Sequence, residues 1–189
     1  MSDDRQLTAE ERKRLLAVAR GILEEVTHHS TPSPVPTDLP GLDFHRGAFV
    51  TLHRQGQLRG CIGNFTSDAA LVENVRQMAR AAATQDPRFS PVRAAEVPEI
   101  DLEISVLSPL TPIDDVNQIE VGKHGIYLVS PWGRGVLLPQ VATEQGWDRD
   151  TFLDHTCLKA GLPQGCWRDE KVQILVFSAE VFGEKDMLG

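Results

Sequence analysis

Gly47-Ala48-Phe49-Val50-Thr51-Leu52-His53-Arg54-Gln55-Gly56-Gln57-Leu58-Arg59-Gly60-Cys61-Ile62-Gly63 reads as a β-hairpin. Residues 47–53 form a first arm of small, aromatic and β-branched residues, and Arg54-Gln55-Gly56-Gln57 supplies the reversal. The second arm brings up Cys61 between Gly60 and Gly63, ahead of a loop and a helix. A cysteine so flanked can have its sulfur exposed and close to backbone N–H donors, a setting in which a thiol is chemically usable.

Helices frame this hairpin. Thr8-Ala9-Glu10-Glu11 has the spacing of a capping box, and Leu15, Val18, Ile22 and Val26 recur after it with helical period. Residues 28–40 carry four prolines and predict an extended connector. After the hairpin, Asp68 is the expected cap of a second helix with Leu71, Val72, Val75, Met78, Ala79 and Ala82 turned inward. Asp86-Pro87-Arg88-Phe89 ends that helix as a rigid loop.

Ile100, Leu102, Ile104 and Val106 then alternate with Asp101, Glu103 and Ser105, the period of a strand with one buried face. A second hairpin is expected from Gly125-Ile126-Tyr127-Leu128-Val129 and Val136-Leu137-Leu138, turning at residues 131–135. Asp148 or Asp150 can cap a helix reaching about Ala160, and residues 172–181 read as one closing strand. Both halves show a hairpin followed by a helix, so residues 47–63 and 125–140 are a weak candidate for an internal duplication. With hairpins throughout and no phosphate-binding glycine motif, the fold class is α+β with antiparallel sheets.

Composition sets the frame. At 189 residues the chain suits a single domain of two lobes, and 41% hydrophobic with 24% charged residues belongs to a globular chain with a sizeable core. A net charge of −8 argues against a dedicated nucleic-acid binder, which needs a basic footprint. No apolar run is long enough to span a membrane, and the amino terminus opens polar, so a cytoplasmic protein is expected. Cys61, Cys157 and Cys166, an odd number with wide gaps, suggest free thiols in a reducing compartment. Cys157 falls on a core helix position, and Cys166-Trp167 reads as a packing plug rather than as its redox partner. No Cys or His spacing suits a metal, so neither a metal nor a cofactor is expected on this chain alone.

Several blocks in order resemble the AMMECR-type domain family. They are residues 47–52, Leu58-Arg59-Gly60-Cys61-Ile62-Gly63, Asp86-Pro87-Arg88-Phe89, residues 102–109, Gly122-Lys123-His124-Gly125, Leu137-Leu138-Pro139-Gln140-Val141-Ala142, Phe152-Leu153 and Lys159-Ala160-Gly161-Leu162-Pro163. With their flanking helix and strand they span roughly residues 12–182; residues 28–45 show no match. The resemblance implies an α+β fold whose larger and smaller lobes meet at a cleft. It also implies partnership, in the AmmeMemoRadiSam system, with a Memo-like protein and a radical S-adenosylmethionine enzyme. It implies no settled reaction.

The candidate chemistry centres on Cys61. As a nucleophile or group carrier it needs a nearby cation, and Arg59, Lys123 and His124 are the candidates; as a packing residue it needs only the tight backbone that its glycines allow. Arg88 either pairs with Asp86 or presents its forked donors to an anionic substrate group. Glu103, opposite the apolar row of its strand, is either solvated, or a general base or the partner of His124. Gln140 either binds a ligand amide or caps a turn. The expected function is a component of a multi-protein modification pathway, with Cys61, Glu103 and His124 as catalytic and Arg59, Arg88, Lys123 and Gln140 as substrate-binding candidates. A non-enzymatic adaptor holding a peptide or partner protein is the alternative.

Overall fold

The computed structural model describes residues 5–28 and 41–187. The proline-rich stretch from residue 29 to 40 lies outside the described residues. Contacts divide the chain into two units: residues 1–107 with 180–189, and residues 108–179. The architecture is α+β, with one four-stranded antiparallel sheet and its packed helices in each unit.

The first unit opens with α1 (Ala9–Val26), whose Thr8 and Glu11 form the expected capping box. The hairpin is β1 (Ala48–Arg54) and β2 (Gln57–Asn64), reversing at Gln55 and Gly56, both with positive φ. Helix α2 (Leu71–Thr84) buries Leu71, Val75, Ala79 and Ala82. Its cap is not Asp68. Ala70 holds that position without a side-chain bond, and the N–H groups of Leu71 and Val72 donate instead to the carbonyls of Phe44 and Leu42. Backbone carbonyls from the preceding loop thus satisfy donors that a side chain would otherwise take. Strand β3 (Ile100–Leu107) pairs with β1, and Leu102, Ile104, Val50 and Leu52 meet α1 residues such as Leu15 and Leu23 in one core.

The second unit contains β4 (Thr111–Ile113), β5 (Gly125–Val129), β6 (Arg134–Leu137), α3 (Pro139–Gln145), α4 (Arg149–Lys159) and β7 (Gln173–Phe177). Asp148 caps α4 as expected, accepting from the N–H of Thr151. Phe152 and Leu153 pack with Ile126, Ile174 and Val176 in a separate core. The single strand expected over residues 172–181 is two. The chain breaks at Ser178, and β8 (Ala179–Gly183) joins the first unit's sheet, burying Phe182 in that core.

The two sheets repeat one pattern. Their orders are β2-β1-β3-β8 and β6-β5-β7-β4, and the fourth strand of the first sheet follows the whole second unit in the chain. Ile104-Ser105-Val106-Leu107-Ser108 matches Ile174-Leu175-Val176-Phe177-Ser178, and the registers agree: Val50 faces Ile104 as Leu128 faces Ile174. The two serines are bonded to each other. Ser108 N–H donates to the Ser178 carbonyl and Ser178 N–H to Ser108 Oγ, both at 2.9 Å. Gly60 and Gly133 also correspond, each lying under the last turn of a helix. A Cβ would stand 2.4 Å from the Ala82 carbonyl oxygen in one and 2.2 Å from that of Ala160 in the other.

The expectation of free thiols at Cys157 and Cys166 is corrected: the two form a disulfide, nine residues apart. Cys157 is buried on α4, and the turn after Pro163 brings Cys166 back to it, with Asp154 accepting from Gly165 N–H and Trp167 Nε1 at 2.8 Å. Cys61 is the free cysteine. Among the described residues no helix is long and apolar enough to cross a membrane.

Candidate functional site

Cys61 sits in the middle of β2, with Thr51 of β1 opposite it and Glu103 of β3 opposite Thr51. Directly opposed residues share a face, so Cys61, Thr51 and Glu103 form one row across three strands. That row lies on the face away from the core, since the alternate positions Val50, Leu52, Leu102 and Ile104 are fully buried. Thr51 Oγ1 donates to Cys61 Sγ at 3.2 Å. Glu103 is half-buried, and its carboxylate has no hydrogen-bond or ion-pair partner among the described residues.

Strand β2 is an edge of its sheet, which would leave its outward backbone groups unpaired. At Cys61 the Asp86-Pro87-Arg88 loop takes the place of the missing strand. The Cys61 N–H donates to Asp86 Oδ2 at 2.9 Å, and Arg88 Nη2 donates to the Cys61 carbonyl at 3.3 Å. Because both backbone groups of Cys61 turn outward, Thr51 and Cys61 form the non-hydrogen-bonded type of pair, in which side chains come closest. That explains the contact between hydroxyl and sulfur.

The loop is itself tightly held. Arg88 grips both carboxylate oxygens of Asp86, Nε at 3.0 Å and Nη2 at 2.7 Å, while its own N–H donates to Oδ1 at 3.0 Å. Asp86 is buried and Arg88 about half exposed. The Arg88 guanidinium holds the Asp86 carboxyl well below the usual carboxylate range, helped by the two backbone N–H groups and opposed by burial. The guanidinium is raised in turn, chiefly by Asp86 and in smaller part by the Cys61 sulfur. Arg88 Nη1 has no partner among the described residues.

Arg59 serves a neighbouring network. The register slips between Leu52 and His53, so Gly60 and Leu58 are paired and Arg59 is the extra residue of a bulge. Its guanidinium reaches Glu96 at 2.9 and 3.1 Å and the Ser90 carbonyl at 3.0 Å. Glu96 is buried and also accepts from Arg54 and from the Arg93 N–H. Arg59 is the largest cause holding the Glu96 carboxyl down to about 2, against the opposing effect of burial.

Lys123, His124 and Gln140 belong to the second unit. Lys123 Nζ pairs with Glu120 at 2.8 Å, and His124 Nδ1 accepts from the Glu120 N–H at 3.1 Å. Glu120 is held below its ordinary value, first by the Lys123 hydrogen bond. Gln140 is exposed in the first turn of α3, where its carbonyl accepts from Thr143 Oγ1 at 2.8 Å. Within the first unit, then, Cys61 and Arg88 touch, Glu103 shares the Cys61 row, and the Arg59 guanidinium is committed to Glu96. Among the described residues no group of three or more His, Cys, Asp or Glu is arranged to hold a metal ion.

Two participants escaped the sequence reading. Asp86 was expected to form a local ion pair or to satisfy amides of its own turn, not to accept from the Cys61 N–H of a strand. Thr51 was missed because a two-residue turn at Gln55 and Gly56, extended without a bulge, sets Thr51 opposite Gly60. The extra residue moves it opposite Cys61.

The AMMECR1 family profile matches residues 16–182. A protein of Methanothermobacter thermautotrophicus is 43% identical over 185 residues, covering 94% of this chain and 96% of its own. One of Nanoarchaeum equitans is 37% identical over 180 residues, covering 90% and 98%. The crystal structure of an uncharacterized protein from Pyrococcus horikoshii, 39% identical, superposes with a TM-score of 0.83 over 95% of this chain and 94% of that one. With nearly its whole length matched in sequence and in fold, this chain belongs to the AMMECR1 family.

Proposed function

We propose that the protein acts through the sulfur of Cys61, as a nucleophile or carrier of a transferred group in a cytoplasmic multi-protein modification pathway. The observation that carries this reading is the division of labour at one residue. The backbone of Cys61 is clamped by Asp86 and Arg88, while its side chain stands on the sheet's outer face with a hydroxyl donor on the sulfur. A fixed nucleophile with a free side chain suits attack on a bound group. In the carrier step the sulfur bonds an electrophilic carbon and the leaving group departs with the electron pair. The thiol proton passes by way of water to Glu103, whose carboxylate is unpaired.

Internal comparison supports the same residues. The positions corresponding to Cys61, Thr51 and Glu103 in the second sheet are Arg134, Val129 and Gln173, although the glycine under the helix and the serine at the strand break are kept. The repeated fold therefore does not itself require the reactive row. Arg88 Nη1 is the donor offered to an anionic group on the substrate. By resemblance to the family, a Memo-like protein and a radical S-adenosylmethionine enzyme are the proposed partners.

The test is the rate at which iodoacetamide alkylates Cys61 in the intact protein, compared with glutathione at the same pH. The expected result is faster labelling of Cys61, slowed in Thr51→Val and Arg88→Gln. Labelling no faster than glutathione in the wild type overturns the reading and favours an adaptor.

A further inference from the structure

The first unit contains a concavity whose lining includes none of the Cys61 site. It is a groove of about 890 Å³ between α1, the tip of the first hairpin, the start of β3 and the turn after β8. A volume of this size is in the range of small-molecule sites. Leu16 and Ile100 are buried in its lining, and Met187 is half-buried beside them. The wall at Gln55 and Gly56 is a tight turn with both residues at positive φ, so the groove is preformed on that side.

The charges around it almost cancel. Glu99 is bonded to Arg54 and Gln55, and Asp101 pairs with Lys185 at 2.8 Å. Glu184 is taken by Arg20 and by the Leu102 N–H. Lys13 remains. Among the described residues its ammonium has neither an ion-pair nor a hydrogen-bond partner, and it lines the same groove.

We propose that this groove binds an apolar monocarboxylate, its tail on Leu16, Ile100 and Met187 and its carboxylate on Lys13. Burial of the tail supplies the affinity, and the single uncompensated cation selects the sign of the head group. A cationic amphiphile would meet Lys13 with like charge, and a neutral one would leave it unpaired.

Calorimetric titration of the full chain with decanoate, decanol and decyltrimethylammonium tests this. Decanoate is expected to bind saturably at one site and more tightly than either control. Lys13→Glu and Met187→Asp should each weaken it by about fivefold or more, and Lys13→Glu, at an exposed position, should do so while keeping the melting temperature. The alkylation rate of Cys61 should stay unchanged, which separates this proposal from the previous one. Equal binding of the three probes, indifference to both variants, or no uptake of decanoate overturns it. So does a dimer in sedimentation that Met187→Asp dissolves, because a second copy would then fill the groove.

Discussion

Asp86 and Cys61, 25 residues apart in the chain, are joined by a 2.9 Å hydrogen bond from the Cys61 N–H to a carboxylate oxygen. A buried carboxylate that binds its own loop's arginine also completes the edge of a sheet. Asp86→Asn keeps the size but loses the ion pair with Arg88. It is expected to cost about 2–3 kcal/mol in urea unfolding at neutral pH. Because the folded Asp86 pKa lies below its ordinary value, this contribution is full above about pH 4 and lost as the solution is acidified further. A wild type and variant that unfold alike at pH 7 would remove Asp86 from the structural role.

Acid should also find Glu96. Its carboxyl is held to about 2 by Arg59 first, so the stability it contributes is present above the unfolded value of about 4.3 and disappears as pH falls towards 2. Glu96→Gln is expected to lower stability by about 3 kcal/mol at pH 7. The gap between variant and wild type should close near pH 2. Chemical denaturation at a series of pH values measures both ends, and a gap independent of pH contradicts the assignment.

Cys61 offers a test that separates chemistry from packing. The residue is partly exposed, so Cys61→Ser and Cys61→Ala should each change stability by no more than about 1 kcal/mol. Both should abolish pathway output in cells while the protein persists at wild-type level. Full output from a stably folded Cys61→Ala protein would leave the sulfur without a chemical role.

Glycines under the helices predict a matched pair of defects. A methyl group at Gly60 or Gly133 meets a helix carbonyl at 2.4 or 2.2 Å, and backbone on both sides leaves little room to yield. Gly60→Ala and Gly133→Ala are each expected to cost about 1–3 kcal/mol or more in thermal unfolding. Gly56→Ala has open space around it and only its positive φ to resist, about 1 kcal/mol. Similar losses at all three positions would mean the helices do not bear on the strands as described.

The disulfide predicts a response to reductant. Closing the segment between Cys157 and Cys166 restricts the unfolded chain by about 2–3 kcal/mol. The melting temperature of the wild type should therefore fall on adding a phosphine reductant, whereas Cys166→Ser should start lower and not respond. Intact mass without reductant checks the bond itself, and two free thiols there would contradict it.

The elements of this fold were legible where one physical signal decided them. Alternation set Glu103 on the face away from Leu102 and Ile104, and Thr8 with Glu11 announced the start of α1. Signals failed where distant residues decided. Nothing near Asp68 reveals that Leu42 and Phe44 already satisfy the helix donors. The run from Ile174 to Phe182 contains no glycine or proline, so the change of sheet at Ser178 is invisible until Ser108 is known to lie beside it. Cys157 and Cys166 meet because a turn after Pro163 reverses the chain, a tertiary fact. At the site, the motif located Cys61 and Arg88, but a bulge of one residue hid Thr51.

The late place of β8 in the chain bears on how the first unit is made. Residues 180–187 supply the first unit with β8, the buried ring of Phe182 and the carboxylates of Glu180 and Glu184, which bind Arg12, Arg46 and Arg20. On the ribosome, β1, β2 and β3 emerge early and wait with one side of the sheet open through synthesis of the entire second unit. The first unit is thus completed only after the second has been made, and a chain stopped at residue 179 would lack Phe182 from the first unit's core.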